Sequence, residues 1–333
     1  MTSDIRQDTR FEHLQRWLDQ VLPNHGELVP ASSDASFRRY FRVFSDQLAN
    51  SGASGSAIVM DAPPPQEDCR PFVEVCARLD QAGVRAPRVI EQDLEQGFLL
   101  LDDLGSTTLL AALPQLDPQR AYQKAMDSLL RIQGAAVADL PVYDAGLLLR
   151  ELNLFHDWYL GVHRQRLLSV AEQQAWDTLC QQLIARALQQ TQVFVHRDYH
   201  SRNLMWAEDQ ALGVLDFQDA VRGPISYDLV SLLRDCYVAW PAEQVQAWLD
   251  DYHAQASAAG LSLPDRASFG QDVDWMGLQR HLKAVGIFAR LNHRDGKSNY
   301  LGDIPRTLQY IASVSAQYNE MALLQALAEE CLA

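Results

Sequence analysis

The sequence predicts an α+β fold in two parts, a small antiparallel sheet over residues 1–104 and a mainly helical part over 105–333. Three observations lead there. Short β-branched and aromatic runs broken by Gly, Pro and Ser turns fill the chain up to Leu101. Apolar stripes at helical spacing fill most of the chain beyond Ser106. Between them the hinge at 101–105, with Asp102-Asp103-Leu104-Gly105, breaks both patterns and leaves no flexible linker.

Phe11 to Leu22 carries apolar residues at 11, 14, 17, 18, 21 and 22, a helical stripe ended by Pro23-Asn24-His25-Gly26. Leu28 to Phe44 reads as a hairpin with its tip at Ser32 to Ser36. Asp46 to Gly55 is a polar loop, and Ser56 to Asp61 is a third strand stopped by Pro63-Pro64-Pro65. Cys69 to Ala82 is a helix capped by Gly83. Strands at 88–90 and 98–101 flank an acidic turn with Gly97. Helical stripes then run through 118–133, 146–162 and 171–189, and helices follow at about 226–238, 241–259, 272–293 and 305–331. Two short strands, 203–206 and 213–215, interrupt them.

Lys and Arg number 28 against 43 Asp and Glu, so the net charge is −15. Nucleic acid and anionic membrane are not expected as partners, because both need a basic surface. A small anionic substrate stays open, since a few local cations override the global field. Met1 to Arg10 is polar and reads as no signal peptide. No run of 18 apolar residues suggests a membrane span. The 5 Cys are scattered without zinc spacing, which suits free thiols in a reducing cytoplasm. A cytoplasmic monomer is expected.

The chemistry concentrates in Val195-His196-Arg197-Asp198-Tyr199-His200-Ser201-Arg202-Asn203, answered by Leu215-Asp216-Phe217-Gln218. Asn203 lies 5 residues after Asp198, and Asp216 lies 13 after Asn203. Phosphoryl transfer needs these groups. One carboxylate, Asp198, takes the proton of the attacking hydroxyl. An amide oxygen, Asn203, and a second carboxylate, Asp216, are hard ligands for Mg²⁺ on nucleotide phosphates.

These residues resemble the small-molecule branch of the protein-kinase-like fold, the aminoglycoside phosphotransferase and choline kinase family, and the likeness spans essentially the whole chain. It implies a two-lobe fold, with the first lobe binding ATP and the second carrying catalysis and the acceptor site. His200 supports that branch, since protein kinases carry Lys at this offset. The short span from Asp216 to Asp228 leaves no activation segment for a peptide substrate. Gly223-Pro224-Ile225-Ser226-Tyr227-Asp228 matches a family element in which the carboxylate, here Asp228, holds the catalytic loop. Ser226 is read as the N-cap of the following helix. His196 is read as a buried anchor of the loop. Asp102 and Leu104 match the hinge that bonds adenine through its backbone. The chain departs from the family in its first lobe. No Gly-rich loop is present, so Ser33 and Ser36 at the hairpin tip are the candidates to cradle phosphates. Met60 stands at or near the slot of the phosphate-binding Lys, which leaves Arg38, Arg39 or Arg42 to meet the phosphate charge. Glu74 is the candidate for the helix Glu that would pair with that Lys.

Asp34 to Arg42, Val59 to Pro63, Phe98 to Gly105, Arg150 to Tyr159, Gln279 to Arg290 and Asp303 to Arg306 narrow the likeness to the bacterial amino-sugar kinases of peptidoglycan recycling. That resemblance implies transfer from ATP to the anomeric hydroxyl of an N-acetylated amino sugar, N-acetylmuramate or N-acetylglucosamine. Glu151, Trp158 and Tyr159 share one helix face and offer a polar group and a stacking platform to the sugar. His200 is placed beside the acceptor, and Arg202, Arg234, Arg280 and Lys283 are cations for a lactyl carboxylate. The alternatives are a kinase of another small acceptor, such as an aminoglycoside or a choline-like amine, and a nucleotide-binding pseudokinase.

Overall fold

The computed structural model describes residues 8–33, 37–49 and 55–333. The chain forms two compact units. The first takes the described residues up to Ser106 together with Met205–Gln218, and the second takes Thr107–Leu204 and Asp219–Ala333.

The first unit opens with α1 (Thr9–Val21), capped by the Asp8 carboxylate on the Arg10 N–H. There follow β1 (Val29–Ser33), β2 (Arg39–Phe44), a short α2 (Asp46–Ala49), β3 (Ser56–Asp61), α3 (Arg70–Gln81), β4 (Val89–Asp93) and β5 (Phe98–Asp102). The five strands make one antiparallel sheet in the order β1-β2-β3-β5-β4. Alternation along β2 turns Phe41 and Val43 into a core with Leu14, Trp17, Val59 and Leu100, and leaves Tyr40 and Arg42 on the other face. Between β4 and β5, Gly97 has φ +73°, and a Cβ there would stand 2.0 Å from the Ala62 carbonyl oxygen, so no other residue fits this turn. Two expectations need correction. The segment after Ser45 is not all loop, since α2 begins at Asp46. β1 runs on through Ser33, inside the expected tip, and the tip residues 34–36 lie outside the described residues.

The second unit begins with α4 (Leu109–Ala112), α5 (Pro118–Gln133) and α6 (Ala145–Leu154), with Asp117 and Asp144 capping α5 and α6. α7 (Val170–Gln189) starts at a capping box of Ser169 and Glu172. β6 (Gln192–Val195) comes next, then the hairpin of β7 (Leu204–Met205) and β8 (Gly213–Val214). That hairpin belongs largely to the first unit, where the Val214 N–H donates to the Arg85 carbonyl and the Phe217 ring lies 4.8 Å from Phe72. β9 (Val221–Pro224) then pairs antiparallel with β6. α8 (Ser226–Leu233), α9 (Ala242–Ala258), α10 (Arg266–Asp295), α11 (Ile304–Ser315) and α12 (Ala322–Leu332) complete the unit.

Several helix bounds differ from expectation for local reasons. α6 continues as a π-helix over Phe155–His163, closed by the Arg164 N–H on the Tyr159 carbonyl. α8 stops at Leu233, because the Asp235 carboxylate takes the Ser201 and Tyr237 N–H groups and needs non-helical backbone to do so. α10 starts early, at an Asp265 cap that accepts from Ala267 and Ser268. The helix expected over 305–331 is two, α11 and α12. Phe155, Trp176, Leu282, Val285, Leu308 and Leu324 sit in the core that these helices share. No helix among the described residues is long and apolar enough to cross a membrane.

Candidate active site

β6 ends at buried Val195 and delivers a loop over 196–203. At its start Arg197 has φ +77°, a left-handed conformation that a residue with a Cβ holds only when its surroundings impose it. Asp228, in the first turn of α8, supplies the restraint. Its carboxylate accepts the backbone N–H groups of His196 at 2.6 Å and of Arg197 at 3.0 Å. Burial pushes the Asp228 carboxyl up to about 7, against those two N–H donors and with Asp198 adding to the rise. His196 is fully buried and accepts the Asp198 N–H on Nδ1 at 3.2 Å. Asn203 donates its Nδ2 to the Asp198 carbonyl at 3.0 Å, and the His200 N–H reaches the same carbonyl at 3.1 Å. Both backbone groups of Asp198 are thus tied into its own loop.

The Asp198 carboxyl is disfavoured as an anion by burial, yet Lys283, His200, His196 and Arg197 outweigh that and hold its pKa below the ordinary 3.8. Lys283, on α10, is itself buried. It lies 3.3 Å from Glu151 and donates to the Tyr227 hydroxyl at 3.0 Å. Burial works against its charge, but Glu151, Tyr227 and Asp198 raise its pKa above the usual 10.5. Glu151 also pairs with Arg197 and accepts from Tyr143 and from Gln279, the latter at 3.1 Å. A connected polar network therefore lies behind the loop, in which Arg197 Nε and Gln279 Oε1 stay without a partner. His200 is buried, its ring edge-on to Tyr237 at 5.1 Å, and burial keeps its pKa below 6.5. In the first unit, Asp216 follows β8 with φ +64° and accepts from Gln218 at 2.8 Å.

This loop, with its carboxylate ionised and its backbone fastened, is an arrangement able to take a proton from a hydroxyl. A family model described as the phosphotransferase enzyme family matches residues 27–267. The chain belongs to that family. It is 48% identical over 330 residues to the N-acetylmuramate/N-acetylglucosamine kinase of Pseudomonas aeruginosa, covering 95% of each chain. It is 46% identical to the enzyme of that name from Pseudomonas putida, covering 97% of each. A choline/ethanolamine kinase family protein from Mesorhizobium loti shares the fold at a TM-score of 0.62 and 13% identity, covering 97% of this chain and 100% of that one. The phosphotransferase thus has the protein-kinase-like fold, an antiparallel-sheet first lobe and a mainly helical second lobe.

Other candidate residues of the phosphotransferase sit differently from their sequence reading. Tyr159 is buried in the helical core, where its ring lies 5.3 Å from Phe155, and Trp158 packs partly buried against the same core. Neither forms a stacking platform with Glu151. The π-helical turn from Phe155 breaks the α-helical phase that put them on one face, and apolar burial holds them inward. Glu151 lies in the loop's support, with its oxygens taken by Arg197, Lys283, Tyr143 and Gln279. Ser226 is the first residue of α8 and not its cap, and its hydroxyl donates to Gln190 at 2.6 Å. Arg234 is tied to Asp274 at 2.6 Å, and Arg280 is buried with its Nη1 on the Cys236 sulfur at 3.3 Å. The Arg202 guanidinium carbon stands over the Tyr237 ring, 3.7 Å from its centre.

In the first unit Arg38 pairs with Glu67 at 3.0 Å, and Arg39 bridges Asp8 and Asp61. Arg42 is held bidentate by Asp103, at 2.6 and 3.0 Å, and also donates to the Gly105 carbonyl. It braces the segment after β5. Met60 is buried, and exposed Glu74 pairs with Arg78 one turn along α3. The Asp102 side chain pairs with Arg88 at 2.7 Å, and the Asp102 N–H donates to the Arg88 carbonyl. Leu104 is buried, its Cδ1 facing Gly213. Ser36 lies outside the described residues, as does the side chain of Ser33. Asp235, which accepts from the Ser201 N–H and hydroxyl, escaped the sequence reading, as did the support role of Tyr143. Neither has a signal at fixed spacing.

Proposed function

We propose that this phosphotransferase is an ATP-dependent kinase that phosphorylates the anomeric hydroxyl of N-acetylmuramate and N-acetylglucosamine in cell-wall recycling, acting in the cytoplasm as a monomer. The observation that carries the reading is likeness over 95% and 97% of the chain to two kinases named for those sugars. Asp198 is the base: it orients the anomeric hydroxyl and accepts its proton as the oxygen attacks the γ-phosphorus. Asp228 and His196 fix the loop, and Lys283 and Arg197 favour the ionised form of Asp198. By their likeness to the family's motif, Asn203 and Asp216 are the residues that would hold Mg²⁺. An amide oxygen and a carboxylate are hard donors of the kind this ion takes, and the Asn203 amide nitrogen donates to the Asp198 carbonyl. Mg²⁺ on a nucleotide typically takes one or two protein oxygens and otherwise phosphate and water. When bound, the ion neutralises charge on the phosphates. Asp102 and Leu104 bond adenine through their backbone, the Asp102 N–H itself being taken by the Arg88 carbonyl. Arg38, paired with Glu67 two residues past the hairpin tip, is the cation we assign to the phosphates, along with Ser33 and Ser36.

The test is ³¹P and ¹H NMR of the product from Mg-ATP and each sugar. A phosphate on C1 is expected. A phosphate on C6 would overturn the anomeric assignment, and transfer to an aminoglycoside or choline with none to either sugar would overturn the substrate.

A further inference from the structure

We propose that Arg202 and Arg306 read a carboxylate on the acceptor, and that they set the preference for N-acetylmuramate over N-acetylglucosamine. The inference rests on the sugar-kinase reading above. The two sugars differ by one lactyl ether, so discrimination between them comes down to recognising one carboxylate.

Arg202 stands in the Asp198 loop, one residue before Asn203. Its guanidinium lies over Tyr237 at 3.7 Å, with Tyr300 at 6.0 Å. A guanidinium over an aromatic ring still carries N–H groups that can bond a carboxylate. The near carboxylate is Asp303, yet its Oδ2 is 3.8 Å away, beyond hydrogen-bond reach. Arg306 approaches the same carboxylate from the other side. It donates Nη1 to the Cys236 carbonyl at 2.8 Å, and that atom is 3.6 Å from Asp303 Oδ1. Two arginines therefore flank one carboxylate, and neither hydrogen-bonds it. Both stay reachable, with side chains 42% and 37% exposed. Burial holds the Asp303 carboxyl above its usual 3.8 although Arg202 and Arg306 oppose the rise.

The remaining charges around Cys236 and Tyr237 are already engaged. Asp235 takes Ser201 and the Tyr237 N–H, and Arg280 donates to the Cys236 sulfur. Lys283 has no such opening, since it is bonded to Glu151 and Tyr227.

The test compares kcat/KM for the two sugars in the full chain. In R306Q and R202Q the ratio of N-acetylmuramate to N-acetylglucosamine is expected to fall about 10- to 100-fold, the loss typical of a charge-assisted hydrogen bond. R306K should recover part of it. A measurement that needs no variant goes alongside: wild type given the lactyl methyl ester of N-acetylmuramate should lose a similar factor against the free acid. An unmoved ratio in both variants, or acid and ester used alike, overturns the inference while leaving the kinase reading intact. Wild type that phosphorylates neither sugar overturns that reading, and the inference with it.

Discussion

Asp198 is ionised before any acceptor arrives because charges several elements away act on it. Its replacement by Asn is expected to lower kcat by about 10²- to 10⁴-fold with little change in stability, measured by initial rates beside a urea titration. Retained turnover would remove Asp198 from the role of base. Lys283 offers a finer test. Its change to Met strips Glu151 of a partner inside the fold, so a loss of about 3–5 kcal/mol is expected from breaking a buried pair. It also removes the largest favourable charge on the Asp198 carboxylate, whose pKa must then rise. A base works above its pKa, so the acid side of the pH–rate profile should move to higher pH in K283M than in wild type. A profile that stays in place would make Lys283 a purely structural residue. Asp198, Asn203 and Asp216 stand out in the sequence as candidates because they lie at short, fixed offsets. The sequence could not expose the Glu151 network, since Gln279 meets Glu151 across 128 residues and only the folded helices decide that meeting.

The contact of α6 with α10 shows how elements fix one another. Gly286 on α10 faces Leu154 at the end of α6, where an added Cβ would meet the Leu154 carbonyl carbon at 2.3 Å and its oxygen at 2.5 Å. These are backbone atoms at the junction with the π-helical turn, and they cannot move aside as a side-chain tip would. Gly286→Ala therefore separates the two helices that carry Glu151 and Lys283. A loss of about 1–3 kcal/mol is expected from urea unfolding, despite the better helix propensity of Ala. Lower kcat should accompany it as Lys283 shifts, and an unchanged or raised midpoint would show that the two helices leave room for a methyl group. The helices themselves were legible, because apolar stripes set α5 and α7 almost to the residue. The π-helical turn was not, since its sequence still satisfies an α-helical stripe, and the end of α8 was decided by the Asp235 side chain bonding across the chain.

At the scale of the whole molecule, the α+β class was legible because strand and helix patterns are segregated along the chain. The return of Met205–Gln218 to the first unit was not, since it depends on a pairing made in space, such as Val214 with Arg85. Global stability against pH depends on similarly distant partners. His281 is fully buried, has its Nε2 2.8 Å from the Arg234 carbonyl, and stacks on Tyr310 at 5.0 Å. Burial, with Arg280 and Arg234 adding positive charge and the Arg234 carbonyl opposing, lowers its pKa to about 3. The unfolded chain protonates His281 near 6.5, so between about 6.5 and 3 it binds a proton that the fold refuses, and stability falls with falling pH. From pH 7 to 5 the loss is about 2 kcal/mol. Asp228 acts with the opposite sign. Its folded pKa of about 7 lies above the ordinary 3.8, so from pH 7 toward 4 the fold keeps a proton the unfolded chain releases, and stability rises. The two terms nearly offset in wild type, so the prediction concerns differences. His281→Gln keeps an N–H for the Arg234 carbonyl and removes the titration. Relative to wild type it should gain about 2 kcal/mol in urea unfolding between pH 7 and pH 5, while Asp228→Asn should lose by a similar amount over the same interval. If both differences are constant with pH, neither group is titrating as its surroundings dictate.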